Sequence, residues 1–153
     1  MRRMTKIGLV AIATLASSVA LAQESEFQDK IQEDLDSYKS QIVSNCGTTD
    51  KLTLKWNGKL GSNPREIDSG AYSAVSTLCT SALEGVAGAC YNKAVKKSLT
   101  KVTSVVCTKG SGTIGYSLKG ATMTFTVDTK FDKNNAAGQR DDLVTKLKKD
   151  LDK

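Results

Sequence analysis

The chain's apolar positions fall into two kinds of period. Phe27, Ile31, Leu35, Tyr38 and Ile42 follow steps of 4, 4, 3 and 4, a single stripe that predicts a helix over 24–44. Asn45-Cys46-Gly47 ends it, with Gly47 suited to a left-handed cap. Leu52, Leu54 and Trp56 alternate with Lys51, Thr53, Lys55 and Asn57, which predicts a half-buried strand. A loop follows over 58–69 with two Gly and the single Pro, and Asn63-Pro64-Arg65-Glu66 reads as either a helix cap or a plain turn. A small-residue helix is expected from Ser69 or Gly70 to Glu84, broken at Gly85 and Gly88. A second helix is expected over 90–98, with Tyr91, Ala94 and Val95 inward and Lys93, Lys96 and Lys97 outward.

The C-terminal third holds the strongest strand signals. Val- and Thr-rich residues 100–108 predict a strand, followed by a turn over 109–112. Thr113–Leu118 and Ala121–Thr126 flank Lys119-Gly120 and predict a tight hairpin. That register pairs Leu118 with Ala121, Tyr116 with Met123 and Ile114 with Phe125, an apolar face. The other face pairs Ser117 with Thr122, Gly115 with Thr124 and Thr113 with Thr126. A polar connection over 128–135 leads to a last helix near 135–151, striped by Leu143, Val144, Leu147 and Leu151. These elements predict an α+β fold: a small four-stranded antiparallel sheet with helices packed on one face, stapled by two disulfides.

The N-terminus changes the domain count. Arg2, Arg3 and Lys6 precede the apolar or small run 7–21, and Ala20-Leu21-Ala22 is an A-x-A cleavage pattern. The run is shorter than the roughly 20 residues a membrane span needs, so residues 1–22 read as a secretory signal peptide of bacterial pattern. Gln23, in place of a Cys, argues against a lipid anchor. Residues 23–153 then form a single α+β domain, long enough for its own core. The signal carries three of the 22 basic residues and none of the 16 acidic ones, so the mature net charge falls from +6 to +3. That is ordinary for a domain of this size and points to no nucleic acid.

Periplasmic or secreted localisation makes the four cysteines, Cys46, Cys79, Cys90 and Cys107, two disulfides. If the first strand lies antiparallel beside the second, Cys46 approaches Cys107. A helical hairpin broken at Gly85 and Gly88 brings Cys79 to Cys90. Cys46–Cys107 with Cys79–Cys90 is therefore favoured among the three connectivities.

The chain has no His, which removes the commonest general base and metal ligand, and no recognisable catalytic motif. No metal site and no cofactor are expected. Ser98-Leu99-Thr100-Lys101 matches Ser-x-x-Lys, but it falls where a helix gives way to a strand, and the companion motifs are absent. Asp128, Asp132, Asp141 and Asp142 read as solvated charges or helix-dipole partners, although sequence spacing does not decide whether two carboxylates meet in space. Two surfaces stand out. Thr113, Ser117, Thr122, Thr124 and Thr126 form a flat hydroxyl-bearing patch suited to a glycan or protein partner; Thr is also simply a good strand former on a wet face. Lys93, Lys96, Lys97 and Lys101, with Lys109, form a basic cluster suited to acidic partners, or a solvated helix face.

The expected function is that of a secreted or periplasmic non-enzymatic protein that binds a protein or envelope-glycan partner through the open face of its sheet. A small carboxylate-dependent periplasmic hydrolase and an inhibitor of an exogenous enzyme, such as a lysozyme, are the alternatives.

Overall fold

The long helical stripe folds as two helices rather than one. The computed structural model describes residues 11–58, 69–110, 115–128 and 135–151. Helix α1 spans Ala11–Asp36 and α2 spans Lys39–Cys46. Between them the Ser37 hydroxyl donates to the Asp34 carbonyl, and the Tyr38 N–H reaches back three residues to Leu35, which tightens the turn and interrupts the ladder. The stripe survives the kink: Ile31, Leu35 and Ile42 are buried, with Phe27 and Tyr38 packed at the margin. Gly47 ends α2 in the left-handed region at φ 67°, its N–H bonded to the Val43 carbonyl. Among the described residues, no helix is long and apolar enough to cross a membrane.

Strand β1 is Thr53–Asn57, with Leu54 buried and Trp56 partly so. Helix α3 then runs unbroken from Ser69 to Ala89. The expected break at Gly85 is absent because that glycine serves packing: a Cβ there would stand 2.9 Å from Cγ of Arg140 and 3.3 Å from Cγ2 of Val144. Its missing side chain lets the last helix, α5 (Ala136–Leu151), lie close against α3. The real reversal comes at Cys90–Asn92. There Asn92 accepts N–H bonds from Ala94 and Val95 and caps α4, Lys93–Leu99. Tyr91, expected inward, lies in that reversal and is exposed, while Val95 is buried as expected.

Strands β2 (Ser104–Gly110), β3 (Gly115–Lys119) and β4 (Thr122–Asp128) complete a four-stranded sheet of order β1-β2-β4-β3. The fold is α+β with two disulfides, but the sheet is mixed, not antiparallel throughout. β1 and β2 are parallel, β2 and β4 are parallel, and only β3–β4 is antiparallel. Two causes account for this. The helical connection through α3 and α4 returns the chain to start β2 in the same direction as β1. β3 then takes the outer edge, so that β4 rather than β3 lies beside β2.

The hairpin also sits two residues from its expected register. Leu118 pairs with Met123, Tyr116 with Phe125, Ser117 with Thr124 and Gly115 with Thr126. The turn is Gly120-Ala121, with Gly120 at φ 58°. Ala121 is not free to pair with Leu118 because its carbonyl takes the N–H groups of Thr103 and Ser104 at the mouth of β2. A two-residue shift preserves the faces, so the apolar and polar sets stay separate as expected. Thr113, Ile114 and Asn63–Glu66 lie outside the described residues.

Both expected cysteine pairings are corrected. The bridges are Cys46–Cys90 and Cys79–Cys107, with Cα separations of 5.0 and 6.0 Å. On an unbroken α3, Cys79 and Cys90 stand about 16 Å apart along the axis and cannot join. The parallel register places Cys107 opposite Trp56, in mid-strand, far from the end of α2. All four sulfurs belong to the buried core, together with Leu54, Val105, Met123, Phe125 and Val127 of the sheet and Leu143 and Leu147 of α5.

Candidate functional site

The sheet's second face carries the expected hydroxyl patch and extends it over all four strands. Parallel and antiparallel pairings set side chains of equal parity in rows. One row reads Thr53, Ser104, Thr122, Lys119; the next Lys55, Val106, Thr124, Ser117; the third Asn57, Thr108, Thr126, Gly115. None of these positions is buried, whereas Leu54, Val105, Cys107, Met123 and Phe125 are buried on the opposite face. The structure thus brings together Ser117, Thr122, Thr124 and Thr126; Thr113 lies outside the described residues. Sequence reading missed the share of β1 and β2, because rows across parallel strands depend on a register that one strand's pattern does not contain.

The hydroxyls on this face differ in how they are used. Thr108 donates to the Asn57 carbonyl at 2.9 Å and Thr53 to the Thr103 carbonyl at 3.4 Å. Among the described residues, the hydroxyls of Ser104, Ser117, Thr122, Thr124 and Thr126 make no such bond, so they remain available to solvent or to a partner.

Lys93, Lys96, Lys97 and Lys101 are exposed on and just beyond α4, and Lys109 is exposed on β2. Lys97, Ser98 and Lys101 line a groove of about 470 Å³ with Leu118, Gly120 and Leu151. The Ser-x-x-Lys residues therefore share a wall, but no Ser98–Lys101 hydrogen bond forms among the described residues. No group of three Cys, Asp or Glu side chains gathers as a metal-ligand set among the described residues. Asp141 lies beside Arg140, and the side chains of Asp128 and Asp132 lie outside the described residues.

Three polar arrangements were not legible in the sequence. Asp34 of α1 accepts from the Tyr72 and Ser76 hydroxyls of α3, tying the two helices; that bond and burial raise the Tyr72 pKa. Tyr116 donates to Asp150 at 3.2 Å, and burial, then the nearby carboxylate, push its pKa up to about 12. Arg140 bonds Asp141 and Glu84, each at 3.1 Å, which raises its pKa further. Each joins residues far apart in sequence, apart from the adjacent Arg140–Asp141 contact.

No family model, curated protein or solved structure matches the chain. Function rests on the surfaces themselves.

Proposed function

We propose that the chain is a non-enzymatic binding protein of the bacterial periplasm or cell exterior, which engages a protein or envelope-glycan partner through the open face of its sheet. In this reading residues 1–22 are removed, the mature protein begins at Gln23, and the helices cover one face of the sheet while the other stays free. Two disulfides with no free thiol among the described cysteines support an oxidising compartment.

The observation that carries the reading is the three-row, four-strand array of unburied side chains dominated by Thr and Ser, with five hydroxyls unengaged. Such an array offers donors and acceptors at strand spacing, on a frame that binding need not reorganise. The test is capture from an envelope extract by the wild type and by a Thr122→Lys/Thr124→Lys variant. These changes project two long cations from the middle of the array. Loss of a captured partner with an unchanged melting curve supports the reading; equal capture removes the sheet face from consideration. N-terminal sequencing of secreted material should begin at Gln23.

A further inference from the structure

We infer that a second site, a cleft beside Tyr91, is a subsite for a neutral saccharide ring. The cleft has a volume of about 390 Å³ and lies between α2, α3 and α5. Tyr91 is 83% exposed, the exposed large apolar side chain among the described residues. The other large apolar side chains are buried or partly buried, so Tyr91 is the ring that the wall of the cleft offers to a ligand.

Its mounting is rigid. Cys90, the preceding residue, is bonded to Cys46, and Asn92, the following one, caps α4. The Tyr91 N–H is bonded to the Gly88 carbonyl. The backbone that carries the ring is thus fixed before a ligand arrives, so binding need order only the side chain.

The rest of the lining selects the ligand. Gln41, Asn45, Glu84 and Arg140 surround the cleft, and Gly88 leaves its floor open, with no atom within 4 Å of an added Cβ. Arg140 spends one N–H on Glu84 and one on Asp141, and three of its five donors remain. Asn45 donates to the Ala87 carbonyl, which leaves its amide oxygen free to accept. An apolar peptide side chain entering here would strip water from these groups and return no hydrogen bonds. The Glu84–Arg140 pair contributes one charge of each sign, so the lining favours neither an anion nor a cation. A neutral pyranose meets both demands. Its C–H face packs on the ring of Tyr91, and its hydroxyls meet amide, guanidinium and carboxylate groups.

The experiment is a 1H–15N NMR titration of the oxidised protein with four neutral trisaccharides: chitotriose, cellotriose, maltotriose and mannotriose. At least one should shift the backbone amides of residues 84–91 and the side-chain amides of Gln41 and Asn45. Tyr91→Ala should weaken that binding about ten-fold or more, while Tyr91→Phe, which keeps the ring, should stay within about three-fold. The Thr122→Lys/Thr124→Lys variant should bind as the wild type does, so failure of the sheet-face reading leaves this one standing. The inference is overturned if none of the four sugars shifts those amides, if the shifts fall on β1–β4 instead, or if Tyr91→Ala binds undiminished.

Discussion

Gly85 and Gly88 look alike in the sequence and should respond to alanine with opposite signs. Inside a continuous helix, propensity alone would have both gain from alanine, which is about 1 kcal/mol better than glycine there. In the structure both lie within α3, but their surroundings differ. A Cβ at Gly85 meets Arg140 Cγ at 2.9 Å, Val144 Cγ2 at 3.3 Å and the Arg140 carbonyl at 3.4 Å. The arginine is held by Glu84 and Asp141, and the carbonyl belongs to the backbone of α5, so neither yields freely. Overpacking of this kind costs about 1–3 kcal/mol, against the propensity gain of about 1, so Gly85→Ala should lose about 1 kcal/mol. A Cβ at Gly88 meets nothing within 4 Å, and its position near the end of α3 reduces the gain to about 0.5 kcal/mol. The two variants should therefore differ by about 1.5 kcal/mol, or about 6 °C in melting temperature.

Urea unfolding of the oxidised proteins, followed by Trp56 fluorescence and by circular dichroism, measures the difference. A double-mutant cycle locates it: Arg140→Ala removes the nearest atom, so Gly85→Ala should cost about 1 kcal/mol less in that background. If Gly85→Ala proves as stable as Gly88→Ala, or if Arg140→Ala changes nothing, the close α3–α5 contact is wrong.

Three further perturbations follow from particular contacts. Peptide mapping after cleavage at lysine, arginine and Glu84, which puts each of the four cysteines on its own peptide, should recover Cys46 joined to Cys90 and Cys79 to Cys107; chain-entropy arguments put the two bridges at about 4 and about 3.5 kcal/mol. Tyr116 has a folded pKa raised to about 12, so its contribution is fully present below pH 10 and lost as pH rises towards 12. The full shift corresponds to about 2.7 kcal/mol, which exposure of the Asp150 partner reduces to about 1; Tyr116→Phe should flatten that alkaline loss, and an unchanged slope would refute it. Asp34→Ala removes the acceptor for both Tyr72 and Ser76 and should cost about 1–3 kcal/mol in urea, more than Tyr72→Phe; equal costs would mean that the Ser76 bond contributes nothing.

What the sequence made legible was local. The stripe through Phe27, Ile31, Leu35, Tyr38 and Ile42 located the helical surface, because a period near 3.6 needs no knowledge of the partner. It did not show the kink at Ser37-Tyr38, which depends on a side-chain bond to the Asp34 carbonyl. Alternation in 115–118 and 122–126 assigned those residues to their correct faces, but it placed the turn residue Ala121 on the apolar face and misplaced the register by two. Parity is all that a period of two contains, and the docking of Ala121 on β2 chose between registers of equal parity. Tyr91 was read as inward on the assumption that a helix began at Cys90; the cap at Asn92 moves the start and turns the ring outward. Four of the five proposed face residues do share one surface. The cleft beside Tyr91 was invisible because its walls come from residues 41–45, 84–91 and 140–144, which only the packing of α2, α3 and α5 brings together.

Strand direction and cysteine pairing were in effect one unknown. With β1 and β2 parallel, Cys107 falls opposite Trp56, in the middle of the sheet, and Cys79 lies in the middle of α3. Cys46 closes α2 and Cys90 follows the last residue of α3. The bridges therefore join middle to middle and end to end; an unbroken α3 excludes Cys79–Cys90, and the parallel register excludes Cys46–Cys107. Assuming an antiparallel first pair and a helix broken at Gly85 carried the error into both pairings at once. The dependence also runs backwards. A Cys79–Cys90 bond requires a fold in the helix between them, since about 16 Å separates them on a continuous one. A Cys46–Cys107 bond requires the start of β1 to meet the end of β2. Peptide mapping of the native protein thus reports, through two covalent bonds, both the continuity of α3 and the direction of the edge strand.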